Sequence, residues 1–301
     1  MSQSRLRRAL ALAIAFVIAA ATAGVAFGDA APEPAGNFGG GAIALPVKET
    51  TVARDMLLSV RTGTGGRIGV DGQIYARCGL GTISGDTRLA SDGRFTLRGD
   101  ATRRPLVGSR NTSTFVVRGR MTADGGEGTA SVKLRVRTKG RATLTCTSRT
   151  VTWTVRRQRD AGPAAPATAP AEATLYGLTS QDAARARQAI VLHAASGERR
   201  IERATFGYRA TCDRGRIVES DDVNISPEFD VAADGSFREV ERFKATFKDV
   251  IVRTTVVLRG QFDAAGGAAG RLAVTERYTS RKSGKRVDVC ATGTRSWSAR
   301  P

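Results

Sequence analysis

Hydrophobic and polar residues alternate with a period of two along most of this chain. In the stretch SVKLRVRT, Val132, Leu134 and Val136 fall on one face of an extended strand. The opposite face of that stretch is basic and consists of Lys133, Arg135 and Arg137. The stretches ATLTC and TVTWTV also alternate, with threonine on the polar face. The pattern therefore predicts that extended strands dominate the structure.

Tight turns separate these strands, and helical periodicity is nearly absent. The turn dipeptides are Asp92-Gly93, Gly125-Gly126, Lys139-Gly140, Asp234-Gly235, Gly266-Gly267 and Ser283-Gly284. The stretch SQDAARARQA, 180–189, is the best helix candidate, with Ser180 as its cap, although a non-helical structure is equally open there. Short strands joined by such turns are typical of antiparallel β-sandwiches and β-barrels. We therefore predict an all-β fold of one of these two kinds.

One pattern occurs twice. When Cys78 is aligned with Cys212 and Cys146 with Cys290, the stretch SDGRF aligns with ADGSF. One glycine-rich turn of the first copy also aligns with one of the second. In both copies a tryptophan follows the second cysteine by seven residues; these are Trp153 and Trp297. Because several spacings repeat together, the chain is predicted to contain one domain duplicated in tandem.

The first 28 residues have the three parts of a secretory signal peptide. Basic residues up to Arg8 precede an apolar segment, 9–20, and small residues at 21–23 suit a signal peptidase. The alternative is an uncleaved anchor, because the uncharged segment between Arg8 and Asp29 is long enough to cross a bilayer. Either way, we expect the rest of the chain to be secreted or to lie in the cell envelope, and to meet a membrane only through this segment.

Composition divides the remaining chain into four segments. A disordered tether, 29–45, precedes the first β domain, 46–158. A linker rich in alanine and proline, 159–173, then leads to the second β domain, 174–301. Four cysteines in an exported chain predict two disulfides, for which three pairings exist. The duplication favours Cys78–Cys146 and Cys212–Cys290, each worth about 4 kcal/mol in the chain-entropy model.

The last strand of each copy poses a problem of parity. Residues seven positions apart in a regular strand point to opposite faces, so Cys146 and Trp153 cannot both point inward. A bulge near Arg149, where the second copy has Gly293, would restore the parity. We therefore predict that Trp153 and Trp297 are core residues; the alternative is exposed tryptophans that stack on sugars.

Charge brings in candidate partners. The net charge of +19 favours an anionic partner, although a genome rich in GC also enriches surface arginine. Residues 46–160 carry 22 basic and 9 acidic residues, whereas 174–301 carry 22 and 16, so the first domain is the better candidate. Its possible anion-binding residues are Lys133, Arg135, Arg137, Lys139 and Arg141. The alternative is a solvated basic face without a ligand.

Candidates for catalysis are few. The single histidine, His193, lies in a probable strand, and no nucleophile elbow, zinc-binding helix or phosphate-binding loop is present. An acidic cluster in the second domain consists of Glu219, Asp221, Asp222, Asn224, Glu228 and Asp230. Its spacing does not match an EF-hand loop, so a solvated loop is favoured over a calcium site. We predict a protein that is not an enzyme and needs no metal or other cofactor.

The spacing Cys…Asp-Gly-x-Phe…Cys-x6-Trp, together with TSQDAARARQAIVL and the ending CATGTRSW, resembles uncharacterised secreted proteins of GC-rich bacteria. The resemblance covers both copies and is clearest in the second. It implies export and a tandem β fold, and it adds no catalytic residue, because that family has no established activity.

These observations favour an exported, non-enzymatic binding or structural protein of the cell envelope. The alternative is a polyanion-binding protein that uses the basic face of the first domain, for which specific binding of nucleic acid is not expected because no aromatic residues accompany the basic stretch. A third hypothesis, an unrecognised hydrolase, would use two close carboxylates among Asp221, Asp222 and Glu228.

Overall fold

The computed structural model describes residues 35–43, 55–103, 109–158, 173–182, 187–195, 199–225 and 228–301. Strands make up 75% of the structure and helix about 1%, which confirms the predicted all-β fold. Within the described ranges, no helix is long and apolar enough to cross a membrane. The predicted signal peptide and nearly all of the predicted linker lie outside the described residues.

In the described residues, nineteen strands form two antiparallel sheets, each a closed or nearly closed barrel. The first barrel contains β1 (Gly36–Ala42), β2 (Met56–Thr62), β3 (Arg67–Ala76), β4 (Gly79–Arg88), β5 (Arg94–Arg103), β6 (Ser109–Met121), β7 (Gly125–Thr138), β8 (Leu144–Thr147) and β9 (Val151–Arg157). The second contains β10 (Ala173–Asp182), β11 (Arg187–Ala194), β12 (Arg200–Cys212), β13 (Ile217–Ile225), β14 (Phe229–Asp230), β15 (Ser236–Thr246), β16 (Val250–Phe262), β17 (Ala268–Ser280), β18 (Arg286–Ala291) and β19 (Arg295–Arg300).

The strand orders show that the two halves have the same topology. The first sheet runs β4-β3-β2-β1-β9-β7-β6-β5, with β8 paired to β7. The second runs β13-β12-β11-β10-β19-β17-β16-β15, with β18 paired to both β12 and β17 and with β14 as an addition. Each half contains one disulfide, Cys78–Cys146 or Cys212–Cys290, as predicted.

The helix candidate at 180–189 is wrong at both of its ends, and residues 183–186 between them lie outside the described residues. Ser180 lies in β10, and Arg187 begins β11, which pairs with β10 in antiparallel register. Apolar side chains explain the difference, because Ile190, Val191 and Leu192 follow directly and are all buried. Burial on both faces of β11 outweighs the local helix propensity of the residues at its start.

The predicted bulge near Arg149 is replaced by a break between two strands. In the first barrel β8 ends at Thr147 and β9 begins at Val151; both pair with β7. Ser148 anchors the break, because its backbone NH donates to the carbonyl of Val132 at 2.8 Å and its Oγ accepts from the Val132 NH at 2.9 Å. Thr292 makes the same two bonds with Val274 in the second barrel. The break lets cysteine and tryptophan both point inward.

The segment assigned to a disordered tether contains a barrel strand. β1 pairs with β2 on one side and with β9 on the other. Its glycines let its backbone approach the second barrel closely: a Cβ on Gly39 would lie 2.1 Å from the carbonyl oxygen of Gly177 and 2.4 Å from Leu178. The glycine tract is therefore part of a contact between the barrels rather than a flexible spacer.

Strands near the start of each barrel meet at this contact: β1 packs on both β10 and β11, and β2 packs on β11. Leu57, Leu178, Ala189 and Val191 form an apolar cluster that is separate from the two barrel cores. The two barrels belong to one compact unit, Pro32–Pro301.

An ion pair is buried beside this cluster. Arg203 of β12 donates from Nη1 to Oδ2 of Asp55 at 2.9 Å, and the two side chains are 1% and 0% exposed. Removing one partner of a buried pair leaves the other charge uncompensated in a medium of low dielectric constant. The pair therefore couples the folding of the two barrels.

We expect Asp55→Ala to lower the free energy of unfolding by about 3–5 kcal/mol. Asp92→Ala, which removes an exposed pair with Arg94, is the control and should cost no more than about 1 kcal/mol. Urea denaturation of the three proteins measures both effects. Equal losses would show that Asp55 has no special part in stability.

A second prediction concerns the glycine strand. Gly39→Ala should destabilise the protein by about 1–3 kcal/mol, because the added methyl group would collide with Gly177 and Leu178. Gly63→Ala is the matched control, since the nearest atom to its new Cβ is 3.9 Å away. Thermal unfolding should distinguish the two variants; similar melting temperatures would argue against close packing at β1.

Candidate anion-binding faces

The basic stretch found in the sequence lies on the outside of the first barrel. Alternation along β7 points Val132 and Leu134 into the core and leaves Lys133, Arg135 and Arg137 exposed. Lys139 and Arg141 follow in the exposed turn before β8. The strand thus positions three cations on one face, and the turn adds two beyond its end.

Hydroxyl groups flank these cations on both neighbouring strands. Across the pair with β6, Thr114 lies opposite Lys133 and Thr112 lies opposite Arg135. Across the pair with β8, the residues opposite Lys133 and Arg135 are Thr147 and Thr145. Arg110 of β6 lies opposite Arg137 and extends the positive charge. We call Arg110, Lys133, Arg135 and Arg137 the β7 face.

The charge of the β7 face is not neutralised locally. Within the described part of the chain, no carboxylate forms an ion pair with its four cations or with Lys139 and Arg141. The nearest acidic residue in the register is Asp100 of β5, which accepts a hydrogen bond from Thr114 at 2.5 Å. The hydroxyl of Thr114 is therefore already used, and the face presents its cations to solvent together with the hydroxyls of Thr112, Thr145 and Thr147.

The second copy provides a natural comparison. Its residues equivalent to Lys133, Arg135 and Arg137 are Thr275, Arg277 and Thr279, and Ile251 takes the place of Arg110. The two barrels share the scaffold at this position, but only the first concentrates charge there.

A second basic face lies on the outside of β15, β16 and β17. It was not expected, because the second domain has a lower net positive charge than the first. Its outward positions carry seven cations: Arg238, Arg242, Lys244, Arg253, Arg259, Arg271 and Arg277. No carboxylate occupies an outward position of these three strands. Only the register between strands distant in sequence brings these residues together.

Both tryptophans lie inside the barrels, Trp153 with 1% and Trp297 with 2% of its surface exposed. The ring of Trp153 packs 6.1 Å from that of Phe95, and Trp297 packs 6.0 Å from Phe237. Rings buried to this extent are not placed to stack on a sugar.

A polar cluster in the second barrel was missed by sequence reasoning. The carboxylate of Glu276 accepts hydrogen bonds from the hydroxyls of Tyr208 and Tyr278, each at 2.5 Å, and Glu276 is only 7% exposed. The first barrel has buried Ile74 and Leu134 at the positions of Tyr208 and Glu276, counted from the disulfide. The cluster thus replaces an apolar core contact.

Arg216 covers this cluster from outside. Its guanidinium lies 4.6 Å from the centre of the Tyr278 ring, and its Nη2 lies 3.7 Å from Oδ2 of Asp288. Burial raises the pKa of Tyr278 well above its ordinary value of 10.0, and the hydrogen bond to Glu276 raises it further. Asp288 also lies near both sulfurs of Cys212–Cys290, but a disulfide offers no thiolate ligand for a metal.

The other titratable candidates have structural partners. His193 is buried in β11, where its Nδ1 lies 3.0 Å from Thr174 Oγ1 and its Nε2 lies 3.5 Å from Glu202. In the acidic cluster, Glu219 pairs with Arg209 at 3.3 Å and Glu228 pairs with Arg200. Asp221, Asp222 and Asn224 lie in β13, and their side chains fall outside the described part of the structure.

No protein-family model matches this chain, and no curated protein matches it either. Its function must therefore be inferred from the geometry of its own residues.

The Tyr278 cluster predicts a dependence of stability on alkaline pH. Because the pKa of Tyr278 is higher in the folded state, its contribution is fully present below pH 10 and is lost as the pH rises above that value. Tyr278→Phe should therefore flatten the decline of the urea midpoint between about pH 10 and 12. Equal slopes for the two proteins would contradict the prediction.

Proposed function

We propose that this protein is an extracytoplasmic binding protein that holds an anionic polymer of the cell envelope on the β7 face. The disulfide in each half supports an oxidising compartment, because such bonds persist outside the cytoplasm. The observation that carries the proposal is the set of exposed cations, flanked by threonine hydroxyls and without ion-pair partners among the described residues.

The geometry of a strand suits a repeating ligand. Alternate residues along β7 are about 6.6–6.8 Å apart, so Lys133 and Arg137 are separated by roughly 13 Å. A chain that bears a phosphodiester or carboxylate group at intervals can meet the three cations in turn. Arginine contributes paired N–H donors to such oxyanions, and Thr112, Thr145 and Thr147 add neutral donors beside them.

A binding role is proposed in preference to a catalytic one. Of the three carboxylates that the hydrolase hypothesis would use, Glu228 is engaged by Arg200, and the side chains of Asp221 and Asp222 lie outside the described part of the structure. The buried histidine is likewise held between Thr174 and Glu202. These contacts support structural roles for the groups that could otherwise act as acids or bases.

Exchanging residues between the two copies tests the proposal. The double variant Lys133→Thr/Arg137→Thr gives the β7 face the residues that the second barrel has, so the fold should tolerate it. We expect weaker retention on the organism's isolated envelope polymer, and a salt dependence of binding that is shallower by roughly 1.5 in the log–log slope.

The control removes the same charge elsewhere, as Lys248→Thr/Lys282→Thr in exposed turns. It should bind as the wild type does, apart from a small general electrostatic loss. Purified DNA serves as a second ligand: an equal loss for DNA and for the envelope polymer would mean that the face attracts any polyanion. Unchanged retention of the β7-face variant would overturn the proposal.

A further inference from the structure

Three arginines of the second barrel stand in one row across three strands. Arg238 of β15 lies directly opposite Arg259 of β16, and Arg259 lies directly opposite Arg271 of β17. All three side chains are exposed, and the row ends at Ser296 of β19, opposite Arg271. We call Arg238, Arg259 and Arg271 the arginine row.

Like charges at directly opposite positions repel each other, because their Cβ atoms are only about 4.5–5.5 Å apart. Among the described residues, no carboxylate forms an ion pair with any member of the row. The repulsion is thus uncompensated within the protein, and a bound anion would relieve it. A phosphate group can accept paired N–H bonds from several guanidinium groups at once.

The arginine row lies in a groove of about 800 Å³ whose floor is apolar. Ala232, Gly260, Ala269 and Gly270 contribute to this floor, with Phe237 and Trp297 buried behind it, and Ser236, Gln261 and Ser296 add polar groups at its sides. Asp230 is the one carboxylate among the described residues that line the groove.

Glycines bring the groove close to the core. A Cβ on Gly260 would lie 2.6 Å from Cζ of Phe237 and 2.6 Å from Cζ2 of Trp297, so no side chain fits there. Gly270, opposite Gly260 on β17, is equally restricted, because its Cβ would lie 1.9 Å from the carbonyl oxygen of Arg259. The indole of Trp297 therefore lies directly behind the groove wall.

The first barrel repeats the groove but not the row. Its groove of about 610 Å³ also includes a phenylalanine and two opposed glycines, Phe95, Gly119 and Gly128. The row equivalent to the three arginines is Thr96, Arg118 and Thr129. The first groove has further arginines, Arg88, Arg94 and Arg120, but they stand outside this row, so only the second barrel places three cations directly opposite one another.

We infer that the groove of the second barrel binds a ligand that joins a phosphate-type oxyanion to an apolar body. The arginine row would hold the oxyanion, and the apolar floor formed by Ala232, Gly260, Ala269 and Gly270 would take the apolar part. This site lies on a different barrel from the β7 face and takes a discrete amphiphilic molecule, so it goes beyond the proposed polymer binding and can fail independently of it.

The same three strands supply a matched control. Lys244, Arg253 and Arg277 form a second row of opposite cations on the same outer face, but they do not line the groove. If the groove recognises the ligand, removing the arginine row should weaken binding more than removing the second row. If anions are attracted only by general charge, the two changes should have the same effect.

The chain has two tryptophans, so Trp153→Phe leaves Trp297 as the sole indole and as a reporter behind the groove. In this background, octyl phosphate should change the Trp297 fluorescence in a saturable way. Octyl glucoside lacks the charge, and inorganic phosphate lacks the apolar body. Each should therefore bind at least about tenfold more weakly than octyl phosphate.

Replacing the arginine row by Arg238→Gln/Arg259→Gln/Arg271→Gln should weaken octyl phosphate binding about tenfold or more, because charge-assisted hydrogen bonds are lost. The control, Lys244→Gln/Arg253→Gln/Arg277→Gln, should change it less than about threefold. The groove variant should also melt at a higher temperature than its parent, since the repulsion is removed, and this result verifies that it folds.

Equal weakening by both triple variants would overturn the inference and leave only general electrostatics. Equal binding of inorganic phosphate and octyl phosphate would overturn the apolar part of the site. Loss of envelope-polymer binding on exchange of the β7 face, with octyl phosphate binding intact, would show that the two sites are separate.

Discussion

The contact between the two barrels is the constraint on which the rest of the structure depends. β2 and β11 bury one face in their own barrel and the other face against the neighbouring barrel, so nearly every residue of these strands is buried. The glycines of β1 bring the backbones together, and the ion pair of Asp55 with Arg203 fixes a polar contact at the same place. Because a buried charge is costly without its partner, neither barrel can present this surface to water without loss.

The copies have kept their interiors and diverged on their surfaces. Each barrel retains the disulfide, the buried tryptophan with its phenylalanine, and the hydroxyl residue that anchors the break before the last strand. Outside, the first barrel has its cations along β7, whereas the second has them in rows across β15–β17. Divergence of this kind is expected when one scaffold supports two different ligands, since exposed positions tolerate substitution.

Alternation in the sequence predicted the strands, and the repeated spacing of cysteines, tryptophans and turns predicted the duplication and, through it, both disulfides. Alternation also predicted the outward positions of Lys133, Arg135 and Arg137, since alternate residues of one strand share a face. The arginine row could not be predicted, because it depends on the register of strands that meet only in the folded barrel. β1 was missed because its glycines resemble a spacer in composition, although they serve close packing here.

One missed site left a signal in the sequence. Leu272, Val274 and Glu276 are alternate residues of β17, and all three face the interior of the barrel. An acidic residue therefore interrupts an otherwise apolar face. Such an interruption indicates a buried carboxylate, but its partner, Tyr208, lies on β12 and is identified only by the fold. The continuous apolar runs of β2 and β11 were a second signal, because strands buried on both faces lack alternation.

The barrel contact has a consequence for how the two copies depend on each other. β1 packs on both β10 and β11, whereas β2 packs chiefly on β11, so the contact is not symmetric between equivalent strands. An interface between identical subunits related by a two-fold axis would repeat every contact in both directions. The two copies therefore meet through unlike surfaces, and a symmetric dimer of one barrel would not reproduce this contact.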